Sequence, residues 1–232
     1  MGQQVDLEPG TGAYLAGTGS SGLPVLLLHA WWGLNQDIMD LADRLAGDGF
    51  VVVAPDMFEG VVADTIEAAE AHIEAMEEPS DRVLATANLG LNRLLEEPGL
   101  TSDRVGVVGL SFGASYGQWV LPLQRPEIGA VVSFYAGVGF EQPTGPAGEP
   151  VKYLGHFAAD DPFEDGDPAE VAPFHEQLTT TDPGSGAYLY PGTQHWFFEP
   201  GRPEYDPEAA QLAYQRTVEF LRAALSTAGD AG

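Results

Sequence analysis

Ser111 stands between two glycines in Gly109-Leu110-Ser111-Phe112-Gly113, directly after the apolar run Val105-Gly106-Val107-Val108. A strand that ends there and turns sharply into a helix holds the serine in a strained backbone conformation, with its hydroxyl exposed above the sheet, and only small neighbours leave room for that turn. The chemistry this implies is nucleophilic attack by a serine, and a serine hydroxyl is weak at neutral pH unless an adjacent base takes its proton. Of five histidines, His195 is the candidate base, because it follows the last strand in Tyr190-Pro191-Gly192-Thr193-Gln194-His195 and completes a nucleophile, acid, histidine order along the chain. His72 in an acidic helix, His175 near the start of another, His156 inside a strand and His29 at a strand end read as structural or solvent-facing residues.

The acid that orients the imidazole and stabilises its protonated form belongs after the strand at residues 151–158, where Asp160 and Asp161 are adjacent. Asp161 is favoured by its spacing from Ala158, but neighbours in a turn can exchange roles, so both stay open; Asp165, Asp167 and Asp182 are poorer candidates in solvated loops. Two preorganised amides are needed for the oxyanion. They fall to Phe112, the residue after the nucleophile, and to Trp31 in the loop His29-Ala30-Trp31-Trp32-Gly33. Such a site loses activity on acidification, as the imidazole takes up a proton.

The elements that must position these groups alternate strand and helix. Strands are predicted at 13–16, 24–28, 50–54, 104–108, 130–135, 151–158 and 187–190, and helices at 37–45, at 62–97 in two pieces broken at Pro79 with Ser80 as a cap, after Ser111 as far as Pro122 or Pro126, and at 207–225. A loop rich in Gly and Pro spans residues 140–150. That alternation predicts an α/β fold with a mostly parallel sheet, helices on both faces, and one domain over residues 1–232 whose first ten or so and last eight or so residues are loosely ordered. Ligands of such sheets bind beyond the carboxyl ends of the strands, where Ser111 falls.

Composition narrows the options further. There is no cysteine, which excludes a thiol nucleophile, disulfides and cysteine-ligated zinc. No His and carboxylate cluster has metal-ligand spacing, so neither a metal nor a cofactor is expected. The N-terminus lacks the basic and apolar segments of a secretion signal and no apolar run reaches membrane-spanning length, so the expected location is the cytoplasm, away from membranes, as a monomer or small homo-oligomer. The formal net charge is −26, from 35 acidic and 9 basic residues with Lys152 the only lysine, which argues against nucleic acid as a partner.

Taken together, Gly12-Ala13-Tyr14-Leu15, His29 to Asn35, Ala54-Pro55-Asp56-Met57-Phe58, Val107 to Gly113, His156-Phe157-Ala158 with Asp161, and Tyr190-Pro191-Gly192 with His195 give a chain that resembles the dienelactone hydrolase family of α/β hydrolases over about residues 12–222. The resemblance implies that fold and a triad of Ser111, Asp161 and His195 acting on a small ester or lactone; a thioesterase, an amidase or a non-catalytic binding protein on the same fold are the alternatives. Three departures matter. The family usually carries cysteine where this chain has Ser111, and glutamate, thought to help form the thiolate, where it has Ala30. A serine is deprotonated only in the transition state, so a buried carboxylate there would be a needless desolvation cost. Family members that cleave lactones are thought to hold a substrate carboxylate with arginine a few residues beyond the histidine, where this chain has Glu199; if Glu199 faces the pocket it repels an anion. A neutral, apolar acyl group is therefore expected, contacted by some of Trp31, Trp32, Phe112, Trp119, Trp196 and Phe197. The acidic excess serves solubility and, in a sharper reading, adaptation to a salty cytoplasm. On that reading the melting temperature rises between dilute buffer and molar KCl, and a flat response counts against it.

Overall fold

The computed structural model describes residues 1–76, 79–136, 142–163 and 167–226, with side chains described from Asp81 onward in the second segment. Among the described residues, eight strands form one sheet: β1 (Gln3–Glu8), β2 (Thr11–Ala16), β3 (Leu23–Leu28), β4 (Phe50–Pro55), β5 (Val105–Leu110), β6 (Ile128–Phe134), β7 (Lys152–Ala158) and β8 (Gly186–Tyr190). Their order is β1-β2-β4-β3-β5-β6-β7-β8. The six strands from β4 across to β8 run parallel, and β1 and β2 are antiparallel at one side. β4, β5 and β6 are buried along their whole length, which is why their sequences are continuous apolar runs without alternation.

The α-helices among the described residues are α1 (Gln36–Gly47), α2 (Ile66–Ala75), α3 (Pro79–Leu95), α4 (Phe112–Trp119), the short α5 (Leu121–Gln124), α6 (Val171–Thr181) and α7 (Pro207–Leu225). In α1, Ile38, Leu41, Ala42 and Leu45 form one buried stripe, and the Asn35 side chain accepts the Ile38 amide to start the helix. α1 and α7 pack with Val25, Leu27 and Val108 on one face of the sheet; α3 and α6 pack with Leu26, Leu28 and Val107 on the other. No helix among the described residues is long and apolar enough to cross a membrane.

Several elements differ from the sequence reading. Residues 3–8, expected to be loose, pair with β2 as an edge strand; their mostly polar sequence carries little pattern, and the ladder forms through the backbone. The helical stretch begins only at Ile66, where Thr65 accepts the Ala68 amide; the division into two pieces at Pro79 is as expected, since α2 ends at Ala75 and Pro79 opens α3, where its missing N–H is harmless. Pro122 likewise sits in the first turn of α5 and does not stop the chain from turning helical again. The expected Ser80 cap, Asp165, the start of the 140–150 loop and residues 227–232 lie outside the described residues.

The step that matters for the site is the one from β5 into α4. A Cβ on Gly113 would come within 2.5 Å of the His29 carbonyl oxygen and 2.6 Å of that of Leu28, and one on Gly109 within 2.5 Å of the Ala114 Cα. Both glycines are therefore required by contact with backbone, and the first turn of α4 lies directly against the end of β3. Gly113→Ala is expected to destabilise the protein by about 1–3 kcal/mol, read as a lower melting temperature. Gly47→Ala, at a helical position with nothing within 4 Å of the new methyl, is the control and leaves it unchanged or raises it.

Candidate active site

Ser111 follows the last residue of β5 with φ 48° and ψ −114°, a conformation rare outside glycine. Its amide donates to the Phe134 carbonyl at the end of β6, which fixes the turn. The loops after β5, β7 and β8 then meet. His195 Nε2 lies 2.8 Å from Ser111 Oγ, and His195 Nδ1 lies 2.7 Å from Asp161 Oδ2. With Nδ1–H donating to Asp161, Nε2 carries the lone pair that accepts the Ser111 hydroxyl. Asp161 is itself held from behind, since its Oδ1 accepts the Phe163 amide at 2.9 Å. Asp160, the open alternative, is exposed, and its amide is bound to the Thr193 carbonyl.

Phe112 is the first residue of α4, and the opening amides of a helix have no acceptor within it. The loop from His29 to Gly33 lies against that same turn through the contact at Gly113. Gly33 folds that loop back, with its amide donating to the Ala30 carbonyl and a φ of 87° that only glycine adopts freely. Trp31 thus comes to line the cavity over Ser111. This cavity, of about 250 Å³, is bounded by Trp31, Ser111, Phe112, Ser115, Phe163, His195 and Trp196. His195 is the one titratable group among them.

The dienelactone hydrolase family model matches residues 11–225. The chain belongs to that family. Membership makes it a hydrolase of the carboxylic-ester and lactone class. Among its relatives, Protein usf of Aquifex pyrophilus is 31% identical, aligned over 96% of this chain and 98% of its own. A protein of Aquifex aeolicus named as a carboxymethylenebutenolidase is 28% identical over the same shares. The solved structure of P91, a dienelactone hydrolase-like promiscuous phosphotriesterase from metagenomic libraries, superposes with a TM-score of 0.71 at 20% identity, covering 97% of this chain and 98% of that one. These likenesses make the architecture the α/β-hydrolase fold.

The structure places the expected pocket residues of this family member differently. Trp32 does not line the cavity: it is buried in the core, with the Arg202 guanidinium 4.0 Å above its ring. Phe197 is fully buried behind Tyr135 and Tyr190. Trp119 ends α4, about two turns along the helix from Ser111, and is also outside the lining. Phe163 and Ser115 take these places. Ser115 sits one turn beyond Ser111 on α4, a periodicity that the motif offered; Phe163 is two residues past Asp161 in a loop, with no pattern to mark it.

Glu199 is also not where an anion-repelling residue would stand. It is 2% exposed and faces a separate cavity of about 100 Å³ shared with Asp37, Asp40 and Arg44 of the α1 side. Its Oε1 accepts the Tyr135 hydroxyl at 2.7 Å, while Oε2 has no partner among the described residues. Burial pushes its pKa up to about 8, from an ordinary 4.5. The remaining histidines are structural. Burial lowers His29 to about 4 and His156 to about 3; His29 accepts the Met57 amide, and His156 sits between the Tyr190 and Thr217 hydroxyls. His72 packs on Phe58 and His175 on the backbone of Ala187.

These shifts act on stability with opposite signs. The two neutral histidines lose stability as pH falls below about 6.5, where the unfolded chain takes up protons that the folded one does not. Glu199 does the reverse, because the folded state keeps up to about pH 8 a proton that the unfolded chain releases above 4.5. Glu199→Gln removes this second effect. Its melting temperature is expected to exceed that of the wild type by a margin that widens from pH 5 to pH 8; a margin constant across that range would show that Glu199 is ionised in the folded protein.

Proposed function

We propose that this protein cleaves carboxylic esters or lactones through an acyl-enzyme formed on Ser111. The observation that carries the reading is the 2.8 Å contact between Ser111 Oγ and His195 Nε2. As the oxygen bonds to the acyl carbon, Nε2 takes its proton, and the carbonyl oxygen becomes an oxyanion facing the amides of Phe112 and Trp31. Asp161 stabilises the imidazolium. Collapse of the tetrahedral species breaks the bond to the alcohol oxygen, which leaves with the proton from Nε2. Water then repeats the sequence on the acyl-enzyme, giving its proton to Nε2 and releasing the acid and Ser111.

The substrate class follows from the walls. Trp31, Phe112, Phe163 and Trp196 are aromatic, the two serines are neutral, and no lysine or arginine is among the described lining residues to hold a carboxylate. A neutral, apolar acyl group is the match; the support comes from this lining and not from Glu199. The name of the Aquifex aeolicus relative points to the same ester and lactone class.

A fluorophosphonate probe is expected to modify Ser111, mapped by mass spectrometry. Ser111→Ala is expected to abolish labelling and lower kcat by about 10⁶-fold, leaving what the oxyanion amides and binding supply. In a substrate panel, neutral short-chain aryl esters are expected to turn over faster than the carboxylate-bearing dienelactone and than matching thioesters; the reverse order for the dienelactone overturns the assignment of a neutral substrate.

A further inference from the structure

We infer that Tyr135 and Glu199 are positioning residues for His195, with the hydrogen bond between them clamping the Tyr135 ring against the imidazole. This rests on the reading of Ser111 and His195 as the reacting pair.

Tyr135 is the first residue beyond β6, and its backbone is left-handed, with φ 36°. Such a conformation costs a non-glycine residue of order 1–3 kcal/mol and persists where the surroundings over-determine it. Here its amide is pinned to the His156 carbonyl at 2.8 Å, and its ring packs on that of His195. The fully buried ring lies 4.8 Å from the His195 ring, tilted by 52°. Its far end is fixed by the bond to Glu199.

Glu199 has little else to do. Among the described residues its carboxyl has no hydrogen-bond partner other than Tyr135, and one of its oxygens is buried with none. Burying a carboxyl is unfavourable, and an apolar side chain would fill the same space at lower cost. What the carboxyl supplies that an apolar group cannot is an acceptor for the phenol. Among the described residues, the other rings against His195 are Trp196, its chain neighbour, and Phe163, which is 43% exposed. Tyr135 is the wall that is both buried and tethered at its tip. Since His195 must stay aligned with Ser111 while passing a proton, and misplacement by 1 Å can cost about 10²-fold in rate, a tethered wall keeps the imidazole in line.

The test compares Tyr135→Phe, Glu199→Leu, their double variant and Glu199→Gln on a neutral aryl ester, with kcat expressed per site labelled at Ser111 by a fluorophosphonate. Tyr135→Phe and Glu199→Leu are each expected to lower kcat per labelled site about tenfold, below the ceiling for a 1 Å displacement, with KM within about twofold. The double variant is expected to fall no further than either single one, because both remove the same bond. Glu199→Gln keeps an acceptor and is expected to recover kcat to within about threefold of wild type. In proton NMR the downfield signal of the His195 Nδ1–H bonded to Asp161 is expected to broaden in the two disruptive variants only. If Glu199→Leu does not fold, Tyr135→Phe against Glu199→Gln carries the comparison. Unchanged kcat per labelled site, or losses that add in the double variant, overturn the inference while leaving Ser111 as nucleophile. A wild-type enzyme that hydrolyses the ester without labelling at Ser111 overturns both.

Discussion

The hydrogen bond from Ser111 to His195 joins residues 84 positions apart, and everything else in the site depends on that closure. It is possible because β5, β6, β7 and β8 are successive neighbours in the sheet. Their carboxyl ends present Ser111, Tyr135, Asp161 and His195 side by side in the order of the chain. β3, the neighbour of β5 on its other side, adds the Trp31 loop at the point where the strand order reverses. The sheet supplies the rigidity, and short loops only have to turn each side chain inward.

How much of this was legible depended on whether a residue's placement is set locally or by distant partners. The buried parallel strands were readable because continuous apolar runs have few other uses, and α7 was readable because Asp206 caps it and Pro207 opens it. That Ser111 and His195 approach one another was legible from chain order and strand ends, whereas the choice between Asp160 and Asp161 was not, because adjacent residues in a turn can exchange roles. β1 escaped notice because an edge strand with one face in water needs only Val5 and Leu7 to point inward. The choice between Trp31 and Trp32 was beyond the sequence. In an irregular loop two adjacent indoles point in unrelated directions, and here Gly33 decides which one faces the cavity. Tyr135 carried no signal either, since a left-handed residue is expected to be Gly or Asn, and its partner Glu199 lies 64 positions away.

The electrostatics of the site contrast with those of the whole chain. A net charge of −26 surrounds a cavity whose lining, among the described residues, holds neither carboxylate nor cation. Asp161, the carboxylate nearest the reacting atoms, has each oxygen bound, one by His195 and one by the Phe163 amide. Glu199 lies behind the Tyr135 ring and is held protonated at neutral pH by burial. Position 30, where the family's glutamate would stand, is a buried methyl in the core. On the proposed mechanism the developing oxyanion would face amide dipoles, with no fixed negative charge among the described lining residues beside it.

The eight strands do not close on themselves, so β1 leaves a row of unpaired backbone groups at the margin of the molecule. A second copy could in principle add its own strand there and start a stack. Asp6 and Glu8 are exposed along that margin, and an approaching twin would set carboxylate against carboxylate. The same acidity that colours the entire surface thus acts locally as a guard against self-templated fibres, and salt high enough to mute it would weaken that guard first.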